Sequence, residues 1–190
     1  MIESTTNFRL EPSQSLASNM WQSTDLETLF NKTFSAWNTI LVGGGKEPYY
    51  RASSGGPHVI EYREDYFRSA LHEIAHWCIA GQARRQLDDF GYWYTPDGRT
   101  QEQQSAFEQV EVKPQSIEWG FCLASGHDFS VSTDNLLGDM AGNTLFRQNV
   151  LSQTQSYFET GFPKRASMFI DALLSFYRPP TFVLPQALPQ

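Results

Sequence analysis

Two of the chain's four histidines, His72 and His76, stand four residues apart in the stretch ALHEIAHWC (residues 70–78), with Glu73 between them. On an α-helix, positions i and i+4 lie on one face, a turn apart. Both imidazoles can therefore reach a single metal ion. Glu73 lies beside that face and can reach a metal-bound water. At ordinary His and Glu frequencies the pattern H-E-x-x-H arises by chance about once in a few hundred chains of this length, and here it falls in a segment that reads as helix. A pair of core histidines satisfied by carbonyls or carboxylates is the structural alternative. Two imidazoles in register around a glutamate favour a metal, and imidazole suits Zn, Fe, Cu and Ni alike.

Two histidines do not complete a site. No third histidine follows at the metzincin spacing, so the remaining ligand must come from elsewhere. Glu118, in QSIEWGF, is the leading candidate, because its neighbours Ile117, Trp119, Phe121 and Cys122 are apolar. A carboxylate in such company is costly to bury unless it is paired or bound to a metal. His127-Asp128 comes second, and Glu111 and Asp88-Asp89 rank lower because their surroundings are more polar. A site of two histidines and one carboxylate leaves positions open. With zinc it supports hydrolysis, with Glu73 as base; with iron(II) it supports oxygen activation and hydroxylation. The ligand types do not choose between these, and the bare motif alone favours zinc hydrolysis.

These residues must be held by helices. TDLETLFNKTFSAWNTILV (24–42) carries apolar residues at helical spacing, and Thr24 with Glu27 fits a capping box. Gly43-Gly44-Gly45-Lys46 follows as a turn. It lacks the strand before, and the Ser/Thr after, that a phosphate-binding loop requires. PYYRA and HVIEY read as two short strands around SSGGP. The metal motif then sits in a helix expected over Glu64–Leu87, with acids in its first turn and Arg84 and Arg85 in its last. A loop follows, with a turn at Pro96-Asp97-Gly98. A short helix capped by Thr100 comes next, and another is expected to start at Pro114. Two more helices follow, parted at Gly161-Phe162-Pro163. The expected fold is mainly α with a small β element (α+β), one compact domain over residues 1–190. Residues 1–22 form an N-terminal arm and 178–190 a Pro-rich tail laid against the body.

Composition narrows the function. A net charge of -7 argues against a nucleic-acid groove. No apolar run approaches the length that spans a bilayer, and the polar N-terminus lacks the plan of a signal peptide. The two cysteines, Cys78 and Cys122, are no disulfide framework. Together these point to a cytoplasmic protein with no membrane partner.

NTILVGGGKEPYYRA, HVIEYREDYFRSALHEIAHWCIAG, RRQLDDFGYWYTPDGRTQEQQ and EVKPQSIEWGFC together resemble the elongation factor P hydroxylase family, over most of the chain. HEIAHWCIAG and DFGYWYTPDGR are the most specific segments. The resemblance implies hydroxylation of the β-lysylated lysine of translation elongation factor P, with a non-haem metal in a 2-His-1-carboxylate site. Carried to this chain, it makes His72, His76 and Glu118 the ligands of Fe(II), with Zn as the alternative. Dioxygen is then the co-substrate, the reductant is unassigned, and Glu73 handles protons. A long cationic lysine arm needs carboxylates and aromatic faces, and Asp89, Tyr92 and Trp93 are expected to supply them. The rival readings are a zinc metallopeptidase of H-E-x-x-H type and a non-enzymatic binding module that the metal holds folded.

Overall fold

Leu26 and Phe30 fall one turn apart and are fully buried by α1 (Ser23–Thr33). The computed structural model describes residues 20–91, 100–132 and 140–188. The helix expected over 24–42 stops at Thr33. A 3-10 turn (Ser35–Trp37) and left-handed Asn38 (φ 49°) redirect the chain into strand β1 (Thr39–Gly45). Thr39-Ile40-Leu41-Val42 is a short, largely β-branched apolar run, whose spacing suits a strand as well as a helix. Gly43–Gly45, expected as a turn, is part of that strand. A side chain at Gly43 would collide with the Tyr62 ring.

β1 runs parallel to β3 (His58–Arg63), and β2 (Tyr49–Arg51) pairs antiparallel on the other side of β3, giving the order β1-β3-β2. Ile60 lies between Leu41 and Tyr50 across the sheet. The capping box expected at Thr24 and Glu27 does not form. Gln22 holds the cap position, and Glu27 instead accepts from the Gly43 N–H (2.9 Å) and the Tyr62 hydroxyl (2.8 Å). Asn31 exchanges hydrogen bonds with the Leu41 N–H (2.9 Å) and carbonyl (3.4 Å). Side chains of α1 thus satisfy the outer edge of β1, which would otherwise be open to pairing with another chain.

Helix α2 spans Phe67–Ile79, shorter than the expected Glu64–Leu87, because Ala80 is extended (φ -60°, ψ 121°). Its last carbonyls are capped from outside. Arg85 donates to the Ala80 carbonyl (2.6 Å), and Arg165 donates to the carbonyls of Trp77 (2.9 Å) and Ala80 (2.6 Å). Arg85 does serve this negative end of the helix, but from the turn that follows it.

Helix α3 (Gln101–Ser125) contains Pro114, where two helices were expected. Thr100 caps it as expected, in a reciprocal pair with Gln103. An internal proline costs about 3 kcal/mol. Packing against α2 on one side and α4 (Met140–Thr160) and α5 (Lys164–Tyr177) on the others outweighs that cost. α4 and α5 part at Gly161, as the sequence indicates. The tail lies along α4: Phe182 meets Phe158 (5.0 Å between rings), and Gln155 donates to the Pro185 carbonyl (3.0 Å).

α2 is central, with β3 on one side and α3 and α5 on the other. An aromatic knot of Phe30, Phe34, Trp77 and Phe169 anchors its inner face. The architecture is mainly α with one small sheet. No described helix is long and apolar enough to cross a membrane. The expected arm lies almost wholly outside the described residues, as do Tyr92, Trp93 and the turn at 96–98.

Candidate metal centre

α2 buries Leu71, Ile74, Ala75 and Cys78 and turns a polar face towards α3. Arg68, His72 and His76 recur every four residues along that face. The facing side of α3 carries Glu111, Gln115 and Glu118, all buried. The helices run antiparallel here, so Arg68 and His72 meet Glu118 while His72 and His76 meet Glu111.

Three groups converge on one point. The Nε2 atoms of His72 and His76 lie 3.1 Å apart. Glu111 Oε2 is 3.4 Å from the first, and its Oε1 is 3.2 Å from the second. Ligand atoms about 2.1 Å from a cation stand about 3.0 Å apart at right angles and about 3.4 Å apart at tetrahedral angles. The observed spacings match what one ion would require. Among the described residues, His72, His76 and Glu111 form the group able to share a metal.

The charges agree. Burial raises the Glu111 carboxyl, but the His76 and His72 imidazoles outweigh it and bring the pKa down from 4.5 to about 2. Burial lowers the His72 imidazole, but the Glu118 hydrogen bond and the charges of Glu111, Glu118 and Glu73 lift it from 6.5 to about 10. The pocket favours positive charge strongly, as expected where three carboxylates surround two imidazoles and a single guanidinium.

Glu118 reaches His72, but at the opposite nitrogen. Its Oε2 lies 2.9 Å from Nδ1, and its Oε1 accepts from Arg68 Nε (3.1 Å) and Nη2 (2.7 Å). A carboxylate behind the ring fixes the tautomer that leaves Nε2 free for a metal. Glu111, and not the expected Glu118, is the carboxylate that lies beside both Nε2 atoms. Continuity of α3 through Pro114 is the reason. Glu111 and Glu118 lie seven residues apart on one helical face, and a helix starting at Pro114 would have separated them. The i, i+4, i+7 series Glu111, Gln115, Glu118 was the available signal, together with Arg68 one turn before His72.

Glu73 is half-buried beside the histidines, and burial raises its carboxyl above the ordinary range despite both imidazoles. Asp89 also faces this side. Burial raises its pKa, while the Tyr50 N–H (3.0 Å) and His76 oppose the rise. Asp89 and Phe90 are left-handed (φ 47° and 55°), and Phe90 stacks on Tyr50 (4.1 Å). Strained backbone of this kind persists only where its surroundings fix it. Asp88, beside it, accepts from the Ala52 N–H (2.8 Å). His127, the second-ranked candidate, is not in this group: it stacks on Phe67 (5.1 Å) and bonds the Asp128 carbonyl (2.7 Å). A cavity of about 640 Å³ opens beside His76, and its charged lining, Arg84 and Lys113, is basic.

Residues 29–187 match the family model described as elongation factor P hydroxylase. A Haemophilus influenzae protein named elongation factor P lysine hydroxylase is 47% identical over 156 residues, covering 80% of this chain and 88% of its own. The chain belongs to the elongation factor P hydroxylase family.

Proposed function

From membership in that family we infer that this chain hydroxylates the β-lysylated lysine of elongation factor P, using Fe(II) and dioxygen. The observation that carries the reading is the convergence of His72, His76 and Glu111 on one point. In this reading those three hold the ion, and Glu118 orients His72. When bound, iron(II) would supply dioxygen activation and transfer of one oxygen atom to a carbon, with two electrons from an added donor taking the second oxygen to water.

The chain's own groups do the rest. Three protein ligands would leave the ion further coordination positions for its co-substrate. Glu73, raised by burial, accepts or returns a proton at that face. The ammonium of the lysine arm pairs with Asp89, whose turn is rigid because Tyr50 and Phe90 hold it. Tyr92 and Trp93, three and four residues further on in the sequence, are proposed to supply aromatic contacts to the same arm. The buried faces of α2 and α3 keep water from the reacting carbon.

Incubating β-lysylated elongation factor P with the Fe(II)-loaded protein and an added two-electron donor under labelled dioxygen should add one labelled oxygen atom to the substrate, the other leaving as water, read by intact mass. Backbone cleavage without oxygen gain would establish the zinc peptidase instead. A His72→Ala variant that unfolds, with no oxygen gained by the substrate of the native protein, would establish the metal-stabilised binding module.

A further inference from the structure

Both carboxylates facing the histidines are held from behind by one short segment. α3 ends at Ser125, the chain turns at Gly126 (φ 69°), and residues 129–132 pass back beside the helix they have just left. Phe129 pins the segment: it is buried and stacked on Trp119 (5.0 Å, 14° between planes), with the Arg68 guanidinium 5.4 Å from its ring centre.

Ser132 bonds the buried Gln115 amide twice. The Ser132 N–H donates to Gln115 Oε1 (3.0 Å), and Gln115 Nε2 donates to the Ser132 carbonyl (2.8 Å). Nε2 also approaches Glu111 Oε2 (3.5 Å). A side-chain amide can flip by half a turn at little cost unless its partners forbid it. Here a backbone donor and a backbone acceptor together dictate which end is nitrogen. The second hydrogen of Nε2 is thereby aimed at Glu111, and a lone pair never faces that carboxylate. Ser130 does the same for Arg68. Nη1 donates to its hydroxyl (2.7 Å) and Nη2 to its carbonyl (2.7 Å), while Nε and Nη2 grip Glu118 behind His72. The planar fork leaves one orientation that meets both partners.

We propose that segment 129–132 sets the orientation of the metal ligands, with Gln115 as positioning residue for Glu111 and Arg68 as positioning residue for His72 through Glu118. This rests on the reading that His72, His76 and Glu111 hold the metal. The physical reason is that ligand groups must be locked by their supporting partners if an ion is to meet them without reorganisation.

Metal-free native protein, Gln115→Met, Arg68→Lys and His76→Ala are titrated with Co(II). Affinity is measured by competition with a chelator and geometry by the visible absorption bands. Circular dichroism and Tm report folding. Gln115→Met keeps the length of the side chain without its donors, and the exposed Ser132 backbone can turn to water. Arg68→Lys alters a side chain that is one-third exposed and keeps its charge. Both variants should remain folded, lose about 10–100-fold in Co(II) affinity and show displaced bands; with Fe(II), kcat should fall and KM should not. Native affinity and native bands in both folded variants, with Co(II) binding lost in His76→Ala, overturn the positioning role and leave the metal site intact. Native Co(II) binding in His76→Ala removes the metal reading and this inference with it. If one positioning variant fails to fold, the other decides.

Discussion

Replacing Glu111 and Glu118 in turn by Gln separates a ligand from its support. Gln is nearly isosteric and removes only the charge. Without metal, the imidazoles already hold Glu111 from 4.5 down to about 2. Glu111 is therefore ionised at neutral pH and can face a cation without giving up a proton. Glu111→Gln takes away the one anionic member of the three-residue group, a larger change than loss of an outer partner, so metal affinity should fall more than about 100-fold. Glu118 reaches the site through Nδ1 of His72 at 2.9 Å, while Arg68 holds its other oxygen. Glu118→Gln keeps an acceptor there and should lose about 10–100-fold, the usual effect of an outer partner. Competition titration with Co(II) at pH 7 measures both, with Tm as the folding control. A larger loss for Glu118→Gln, or a Glu111→Gln variant within tenfold of native, would refute the assignment of Glu111 as ligand.

Other outcomes follow from the same geometry. The His72 pKa is raised from 6.5 to about 10 in the metal-free protein, so the ring must lose a proton to take a metal; metal affinity should rise about tenfold per pH unit between pH 7 and 9, and a flat profile would contradict this. The same raised value gives the metal-free fold a stabilisation that is complete below pH 6.5 and lost as pH climbs towards about 10, so its Tm should fall across that window while metal-loaded protein holds. Gly120→Ala would bring a methyl within 2.7 Å of the Phe162 ring, on the face of α3 away from the metal; thermal denaturation should show a loss of about 1–3 kcal/mol, with Co(II) affinity unchanged. Asp89→Asn keeps an acceptor for the Tyr50 N–H but removes the charge; steady-state assays should show KM for β-lysylated elongation factor P raised about tenfold, in the range of a charge-assisted hydrogen bond, with metal affinity retained.

Local signals were sufficient for the metal helix. His72, Glu73 and His76 carry their mutual spacing in the sequence, and the apolar positions around them require a helix with that face turned inward. The mainly α architecture and the hairpin of β2 and β3 were legible on the same local grounds. β1 was not. Its apolar run has no period that distinguishes strand from helix, and only pairing with β3 and the side chains of Glu27 and Asn31 decides it.

The third corner of the site was beyond local reading for a related reason. Pro114 is a strong local stop signal, and it was overridden by the packing of α3 against three other helices. Once the helix continues, Glu111 and Glu118 share one face, and the antiparallel crossing of α2 determines which of them meets Nε2 and which meets Nδ1. The sequence by itself determined that two imidazoles would stand on one helical face and that any further ligand had to come from elsewhere in the chain. Which carboxylate, and from which side, depended on a contact between residues about 40 apart in the chain, and no spacing within a single helix encodes that.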